Sequence, residues 1–236
     1  MINIMLPSGD MKQFENSVNM FDIAKSISNS LAKKAIGARV DGKLVDMTYV
    51  VEKDAKVELV TPETEDGVEI IRHSTAHLMA QAVIRLFPGT KVSIGPSIDK
   101  GFYYDFDPLN QFSEEDLIKI ENEMKNIAKE DIKIVRHEIT REDAIEKFKA
   151  MGENYKVEII ESIPVGEILS LYEQGEFIDL CRGPHVPSTR YLKAFKLTKV
   201  AGAYWRGDSK NKMLQRIYGY AFAEERELKE YLVQLE

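Results

Sequence analysis

A break in hydrophobic periodicity at residues 61–67 divides the chain in two and constrains its fold more than any other feature. The segment TPETEDG combines a proline with a cluster of acidic residues, and it interrupts both the two-residue period of strands and the 3.6-residue period of helices. A chain of 236 residues is long enough for two domains, each with its own core. We therefore predict one domain over residues 1–62, a second over 63–223 and a final helix over 224–236.

The first part alternates short strands around one helix. INIML, PSGD and MKQF predict a strand, a turn and a strand, because Ser8-Gly9-Asp10 supplies residues that favour tight turns. Apolar residues at helical spacing then predict a helix over residues 21–30, followed by a hairpin around Asp41-Gly42 and the strand KVELV. This order is typical of a small β-grasp, ubiquitin-like domain.

The second part begins with helices and continues with strands. An apolar stripe predicts a helix over residues 68–87, ended by Pro88-Gly89, and Ser113 and Thr140 are placed to cap two more. From Tyr155 onward, alternating segments, including YKVEII and AYWRGD, predict strands. We predict an α+β domain with a mainly antiparallel sheet. The closing helix ERELKEYLVQLE has no Gly or Pro to end it, which suggests that more protein follows.

Composition excludes several classes of protein. No run approaches eighteen consecutive apolar residues, so we expect no membrane span and no membrane partner. The N-terminus lacks the basic and apolar regions of a secretory signal. A single cysteine excludes an internal disulfide and fits a reducing compartment, so we predict a cytoplasmic protein.

The charge is distributed unevenly along the chain. The net charge is −7, yet residues 181–220 hold nine basic residues and one acidic residue, a local charge of +8. Such a segment is typical of a surface that faces a polyanion. Aromatic residues are interleaved with these cations, as single-stranded nucleic acid requires. The alternative is that the rings belong to the core and the cations to a solvated face.

Two short motifs gather three of the four histidines and the only cysteine. In His73-Ser-Thr-Ala-His77 the spacing puts both imidazoles on one face of a helix. In Cys181-Arg-Gly-Pro-His185 a turn at Gly-Pro can bring the histidine back beside the cysteine. Asp179 lies two residues before Cys181 on the same strand face. The four side chains predict one shared site, against the alternative of unrelated core residues.

Three chemistries fit this set of side chains. Four ligands could bind zinc, but they would close a tetrahedral shell and leave no position for a reactive water. A metal-free site could use two imidazoles and a nearby cation to orient and deprotonate a water. Cys181 could instead act as a nucleophile with His185, which would leave the histidine pair unexplained.

Longer strings around these motifs resemble a known family. HSTAHLMAQA, GFYYDFD, FIDLCRGPHVPST and AGAYWRGDSKNKMLQRIYG are similar to the N-terminal region of bacterial threonyl-tRNA synthetases, and the resemblance covers essentially the whole chain. In that family the region consists of a TGS domain and an editing domain. The two histidine motifs are shared with alanyl-tRNA editing proteins, but the leader domain and the AYWRGDSKNKMLQRIYG string favour the threonyl family.

The resemblance implies proofreading by hydrolysis of seryl-tRNA(Thr). Serine lacks one methyl group of threonine, which a pocket discriminates by only about 1–3 kcal/mol, so a second site that removes the error is useful. The implied catalytic residues are His73, His77, Lys156, Cys181 and His185. Asp179 is implied to hold the serine amino group and Tyr104 to line the pocket. From its alternating segment alone, Lys156 would be expected in solvent.

The resemblance also implies partners and cofactors. We expect the acceptor end of tRNA(Thr) carrying serine to bind, and the catalytic domain of the same synthetase, absent from this chain, to form a homodimer and to use ATP and zinc. For editing itself we expect no cofactor, with zinc at His73, His77, Cys181 and His185 as the alternative. The predicted tRNA contacts are Arg190, Lys193, Lys196, Lys199, Arg206, Lys210, Lys212 and Arg216.

Two other functions fit parts of the sequence. One is a freestanding, zinc-dependent deacylase of the alanyl type, and the other is a tRNA-binding module without catalysis. No stretch resembles an ATP-binding core, so we expect no ligase activity from this segment.

Overall fold

The computed structural model describes residues 1–236 and divides them into two compact units. The first comprises Met1–Ile71 together with Gly183–Pro187, and the second comprises Arg72–Arg182 and Ser188–Glu236. The division falls inside helix α3 (Glu65–Leu86). The domain boundary between residues 62 and 63 stays a prediction.

The last three residues of the predicted linker TPETEDG, residues 65–67, form the start of α3. The Thr64 hydroxyl accepts a hydrogen bond from the Gly67 N–H at 3.0 Å. Glu65 and Asp66 lie in the first turn, where negative charge interacts favourably with the helix dipole. The guanidinium of Arg39 donates two hydrogen bonds of 2.6 Å to Asp66, so the beginning of α3 belongs to the first unit. The acidic residues that suggested a break between two domains therefore stabilise the N-terminus of a helix instead.

The first unit is a mixed sheet with two short helices, the β-grasp order predicted from the sequence. Strands β1 (Ile2–Met5), β2 (Met11–Phe14), β4 (Gly37–Val40), β5 (Lys43–Val45) and β7 (Ala55–Val60) form a sheet in the order β2-β1-β7-β4-β5. β1 and β7 are parallel, and the other pairs are antiparallel. β3 (Val18–Asn19) and β6 (Val50–Val51) form a separate pair.

One side of this sheet is covered by α1 (Met20–Ile27) and α2 (Asn29–Lys34). Ile4, Met20, Ile23 and Ala38 have no exposed surface and form the centre of the core. The sequence predicted one helix over residues 21–30. The Ser28 hydroxyl accepts a hydrogen bond from the Leu31 N–H and so begins a second helix there.

The second unit contains two antiparallel sheets. The larger has the order β14-β15-β10-β8, formed by β14 (Ala194–Tyr204), β15 (Met213–Phe222), β10 (Gly101–Asp107) and β8 (Lys91–Val92), with β9 (Ser97–Ile98) also paired to β10. The smaller consists of β11 (Ile134–Ile139), β12 (Leu169–Gln174) and β13 (Phe177–Leu180). The predicted strand AYWRGD is confirmed only to Tyr204, because Trp205–Gly207 form a short 3-10 turn.

The helices of the second unit are the rest of α3 together with α4 (Glu114–Lys129), α5 (Arg141–Ala150), α6 (Asn154–Ser162) and α7 (Glu225–Leu235). The predicted apolar stripe is buried except for Leu86 at its end, which is exposed, and over residues 74–83 the burial extends to every side of α3. No helix of the chain has the length and apolar character needed to cross a membrane.

The segment YKVEII, predicted to be a strand, lies in α6. It contains both an alternating pattern and an apolar pair at i,i+3 spacing, Val157 and Ile160, and the second pattern is the one that is buried. Val157 and Ile160 pack with Phe148 of α5 and Leu171 of β12. This correction places Lys156 on a buried helix face.

Candidate active site

Helix α3 carries the histidine pair at the centre of the second unit. His73 and His77 are one turn apart on the same face, as their spacing predicted, with ring centroids separated by 5.3 Å. Because α3 is surrounded by protein at this level, only 5 % of His77 is exposed. Its ring also makes an edge contact with Phe177 of β13, with centroids 5.9 Å apart.

Strand β13 brings the acidic residue and the cysteine to these histidines. Phe177 and Asp179 are buried and Ile178 and Leu180 less so, which confirms the predicted alternation. Cys181 follows the strand, and its Sγ lies 3.3 Å from Nε2 of His73. The metal-capable atoms of His73, His77 and Cys181 lie within 4.8 Å of one another. Two motifs more than a hundred residues apart thus contribute to one cluster.

Asp179 is the centre of a buried polar network and is 1 % exposed. The Tyr104 hydroxyl donates to Oδ2 at 2.8 Å, and His77 Nε2 lies 3.3 Å from the same oxygen. Oδ1 is paired only with the Lys156 ammonium, at 2.5 Å, and a carboxylate oxygen can accept more than one hydrogen bond. One carboxylate oxygen therefore keeps unused capacity to accept a directed hydrogen bond.

Lys156 enters this network from α6 and is 2 % exposed. Its ammonium donates to the Ser93 carbonyl and, at 3.1 Å, to the Tyr104 hydroxyl, in addition to its ionic contact with Asp179. Three neighbours for three N–H groups make this a satisfied buried cation. The expectation of a solvated lysine is therefore wrong, and a buried cation beside a buried carboxylate is a candidate functional pair.

Burial and the charge pair set the protonation states of the cluster. Burial lowers the pKa of His77 to about 3, and the nearby Asp179 carboxylate opposes this only in part. Burial likewise lowers the pKa of His73. Burial favours the neutral form of Asp179, but the Lys156 ammonium, His77 and the hydrogen bond from Tyr104 together outweigh it and hold the pKa of that carboxyl below its usual range. At neutral pH the cluster therefore contains neutral imidazoles and an ionised acid.

The neutral state of His77 defines its contact with Asp179. A neutral imidazole within 3.3 Å of a carboxylate oxygen donates its Nε2–H to that oxygen, so the two form a hydrogen bond and not an ion pair. Tyr104 has a raised pKa because it is buried and close to the same carboxylate, so it remains a donor.

The geometry also fits a zinc ligand set. Zn–N and Zn–S bonds of about 2.0–2.3 Å place tetrahedral ligand atoms roughly 3.3–3.6 Å apart. The 3.3 Å separation of His73 Nε2 from Cys181 Sγ agrees with this spacing. A carboxylate that accepts from the other nitrogen of a ligating histidine, as Asp179 does from His77, is a common arrangement around zinc.

His185 lies in the segment Gly183–Pro187, which belongs to the first unit. It is 2 % exposed, and its backbone N–H donates to Oδ1 of Asp46 at 3.0 Å. Its inclusion with the other motif residues stays a prediction from the CRGPH motif.

Sequence reasoning missed Ser93 and Glu153. Ser93 supplies the carbonyl that binds Lys156, and Oε2 of the buried Glu153 accepts from the Val92 N–H at 3.1 Å, which ties α6 to β8 next to it. Burial raises the pKa of Glu153. A backbone carbonyl carries no side-chain signal, and a glutamate at the start of a helix is ordinary, so no pattern pointed to either residue.

The predicted tRNA-binding cations fall into two groups. Three are ion-paired within the second unit: Lys196 with Glu121 at 3.3 Å, Lys212 with Asp107 at 2.8 Å, and Arg216, which donates two hydrogen bonds to Asp105. Arg190 has a looser contact of 3.9 Å with Asp131.

The remaining cations are exposed and make no ion pair: Lys193, Lys199, Arg206 and Lys210. Of the interleaved rings, Phe195 and Trp205 are buried and Tyr204 is 41 % exposed. Part of the local positive charge is thus balanced by acidic neighbours, and two of the predicted stacking rings belong to the core.

Two family models match this chain. Residues 2–61 match the TGS domain, and residues 169–218 match the family described as "Threonyl and Alanyl tRNA synthetase second additional domain". The second match includes Asp179 and Cys181 and most of the basic segment. The fold and the cluster thus define a TGS domain joined to an editing domain of the tRNA-synthetase class.

Full-length relatives narrow this class to one kind of synthetase. Proteins named threonine--tRNA ligase are 64 % identical over 218 residues in Fusobacterium nucleatum, 58 % over 233 residues in Laribacter hongkongensis and 57 % over 236 residues in Legionella pneumophila. These alignments cover 92 %, 99 % and 100 % of this chain but only 35–37 % of the relatives. The chain matches the N-terminal, editing-domain region of threonine--tRNA ligases and spans little more than a third of their length.

Proposed function

We propose that the second unit hydrolyses the aminoacyl ester of seryl-tRNA(Thr). The observation that carries this proposal is the buried Asp179–Lys156 pair beside the neutral imidazole of His73. An ester that is already labile needs a positioned water, a proton acceptor and charge stabilisation, and these side chains provide all three.

Asp179 recognises the α-ammonium group of serine. Its Oδ1 is paired only with the Lys156 ammonium, so an incoming ammonium can donate to the second lone pair of that oxygen. The hydrogen bonds from Tyr104 and His77 to Oδ2 hold the carboxylate in place. The substrate amine then fixes the position of the neighbouring ester.

His73 accepts a proton from the attacking water. A lowered pKa keeps it unprotonated at neutral pH, and its one-turn offset from His77 places it toward Cys181. Lys156 stabilises the negative charge that develops on the ester oxygen, mainly through its field, since its three donors are already engaged. The ribose hydroxyl next to the ester assists the proton transfer.

Serine is selected over threonine by the small space beside Cys181. Cys181 forms a wall close to the histidines, and a further methyl group on the substrate would have to displace it. His185 is proposed to complete this wall, on the basis of the CRGPH motif and the resemblance. The acceptor arm of tRNA(Thr) is proposed to bind the exposed cations of residues 190–216, chiefly the four without ion pairs.

A zinc-dependent hydrolase is the second candidate, favoured by the close grouping of His73, His77 and Cys181. In that case these residues would hold the metal, which would supply a Lewis acid and an activated water. We propose the metal-free reaction because the Lys156 ammonium already supplies positive charge in the cluster. Metal analysis of the purified protein, together with hydrolysis measured after chelation, separates the two.

Ligation of threonine, which the names of the relatives describe, is proposed to depend on the part of those relatives that this chain does not match. The same holds for the ATP, the zinc and the homodimer that the resemblance implies.

Single-turnover hydrolysis of seryl-tRNA(Thr) tests the proposal. His73→Ala and Lys156→Ala are each expected to lower the rate by roughly 100-fold or more, the range for a lost proton-transfer or charge-stabilising group. His137→Ala is the control, because His137 is exposed on β11 and paired only with Glu173. Unchanged hydrolysis in both cluster variants, or a wild-type chain that does not hydrolyse seryl-tRNA, would refute the proposal.

A further inference from the structure

Helix α6, which carries Lys156, depends on contacts with other elements for its position. It has only 9 residues and begins without a side-chain cap, and a helix this short is not stable by itself in water. Val157 and Ile160 anchor its inner face in the core. Because the lysine side chain is long and flexible, its ammonium stays beside Asp179 only while the helix backbone is held in place.

The outer face of α6 is held by the tip of the hairpin between β14 and β15, residues 205–212. The indole N–H of Trp205 donates to Oε2 of Glu158 at 2.9 Å. The Trp205 ring meets the ring of Tyr155 edge to face, with centroids 5.0 Å apart. The Arg206 guanidinium donates to the Glu158 backbone carbonyl at 3.1 Å. Tyr155 and Glu158 are i,i+3 neighbours on one face of α6, and they flank Lys156 in the sequence.

The hairpin tip is itself tightly bonded. Trp205 is only 8 % exposed although it lies in a turn. Its N–H donates to the Lys212 carbonyl at 2.9 Å, and its carbonyl accepts from the Asn211 side chain at 3.0 Å. Arg206 has a positive φ of 56°, which is uncommon for a residue other than glycine. Such a backbone persists where surrounding contacts hold it, and the bond from Arg206 to α6 is one of them.

A second contact ties the same face of α6 to the larger sheet. The Tyr155 hydroxyl donates to Oδ2 of Asp107 at 2.8 Å, and Lys212 at the hairpin tip binds the same carboxylate at 2.8 Å. Asp107 ends β10, the strand that also carries Tyr104, whose hydroxyl accepts from Lys156. The hairpin tip, α6 and β10 are thus joined by one continuous set of contacts around Lys156.

We infer that Trp205 is a positioning residue for Lys156. The inference rests on the proposed function, in which the Lys156 cation stabilises the charge that develops on the ester. Trp205 acts through Glu158 and Tyr155, which set the place of α6 and therefore of the cation. A displacement of about 1 Å at a reacting group can lower a rate by roughly 100-fold. A small shift of α6 is thus expected to be costly for the reaction even where the fold is kept.

This role accounts for a buried tryptophan at the tip of a basic hairpin. The tip carries Arg206 and Lys210, which are exposed and proposed to bind tRNA. Cations on a turn need no buried ring beside them in order to bind phosphate, whereas a ring packed on α6 fixes the tip relative to Lys156. The part of the chain proposed to hold the RNA and the cation proposed to act on its ester are therefore kept at a fixed separation.

Removal of the indole–carboxylate hydrogen bond tests this role. Glu158 is exposed, so Glu158→Ala should fold, yet it should lower the single-turnover rate of seryl-tRNA(Thr) hydrolysis at saturating protein by roughly 10- to 100-fold. The protein concentration at half-maximal rate should not change. Glu158→Gln keeps an acceptor for the indole N–H and should restore most of the rate. Glu161→Ala, which removes another exposed glutamate of α6, is the matched control.

Trp205→Phe perturbs the same contact from the hairpin side. It removes the N–H donor but keeps a ring against Tyr155, so its rate should fall by a similar factor. The double variant Glu158→Ala/Trp205→Phe should be no slower than the slower single variant, because both changes remove one hydrogen bond. Urea unfolding should give Glu158→Ala the same stability as Glu161→Ala, which separates positioning from a general loss of structure.

Four results would overturn the positioning role while leaving the proposed function intact. The first is rates for Glu158→Ala and Trp205→Phe equal to that of Glu161→Ala, which would show that the contacts of the ammonium alone hold it in place. The others are a Glu158→Gln variant as slow as Glu158→Ala, an additive double variant, and a loss of tRNA affinity at an unchanged saturating rate. A wild-type chain that does not hydrolyse seryl-tRNA(Thr) would refute the proposed function and this inference together.

Discussion

The substitution Lys156→Met removes the cation but keeps most of the side-chain volume. It therefore tests how much the buried charge pair contributes to stability. Lys156→Met leaves the Asp179 carboxylate buried without a counter-ion, although Tyr104 and His77 still donate to Oδ2. Breaking a buried pair by deleting one partner costs about 3–5 kcal/mol, and the two remaining bonds place our expectation near the lower end, about 3 kcal/mol. Lys149→Met, an exposed lysine on α5, should change stability by less than about 0.5 kcal/mol.

The chain has one tryptophan, which makes the measurement local. Trp205 is in the second unit and 8 % exposed, so its fluorescence during urea unfolding reports on that unit. The double variant Lys156→Met/Asp179→Asn removes both charges, so it should recover most of the lost free energy of unfolding. Equal stability of the Lys156 and Lys149 variants would refute the reasoning, as would a double variant no better than Lys156→Met.

The pH dependence of the free energy of unfolding gives an independent check on the direction of the Asp179 pKa shift. In the wild type the pKa of Asp179 is depressed, so its stabilising contribution is present above the ordinary aspartate pKa and is lost as pH falls through the folded value. In Lys156→Met burial is no longer opposed by the ammonium, and the folded pKa should rise above the unfolded one. The stability deficit of the variant should therefore shrink as pH falls from about 7 to about 5. A constant deficit would contradict this.

Three further predictions concern activity and tRNA binding. Because burial puts the pKa of His73 below 6.5, the rate of enzymatic deacylation should fall at low pH with a midpoint below 6.5; a midpoint at or above 6.5 would contradict its role as proton acceptor. Lys199→Gln should reduce the slope of log affinity for tRNA against log salt by about one, since Lys199 has no ion pair, whereas Lys212→Gln, already paired with Asp107, should change it less. A Cβ at Gly95 would lie 2.1 Å from the Tyr104 ring, so Gly95→Ala should displace that ring from Asp179, cost about 1–3 kcal/mol and slow deacylation; unchanged urea unfolding would show that the ring does not move.

Local spacing was sufficient to predict the parts of the site that lie on one element. The shared face of His73 and His77 follows from helical spacing, and the buried side of Asp179 follows from strand alternation, so both were predicted correctly. The β-grasp order followed in the same way, because its turns and strands are marked by adjacent residues.

Local sequence patterns could not predict the contacts between distant segments. Lys156 is 63 residues from the Ser93 carbonyl that it binds, and its segment fits both a strand and a helix period. Packing of Val157 and Ile160 decides between the two, and packing is a tertiary property. The ion pairs of Lys196 and Lys212 could not be predicted from local sequence either, since their acidic partners lie on α4 and β10. A count of charges along the chain therefore exaggerated the surface available to a polyanion.

The most direct test of the central claim compares two substrates on the unmodified chain. Under single-turnover conditions, seryl-tRNA(Thr) should be hydrolysed at least roughly 10-fold faster than threonyl-tRNA(Thr), the lower end of what one methyl group can discriminate. Asp179→Asn should abolish most of the seryl reaction. Equal rates for the two substrates, or a seryl rate unaffected by Asp179→Asn, would contradict the account of a serine-sized site centred on that carboxylate.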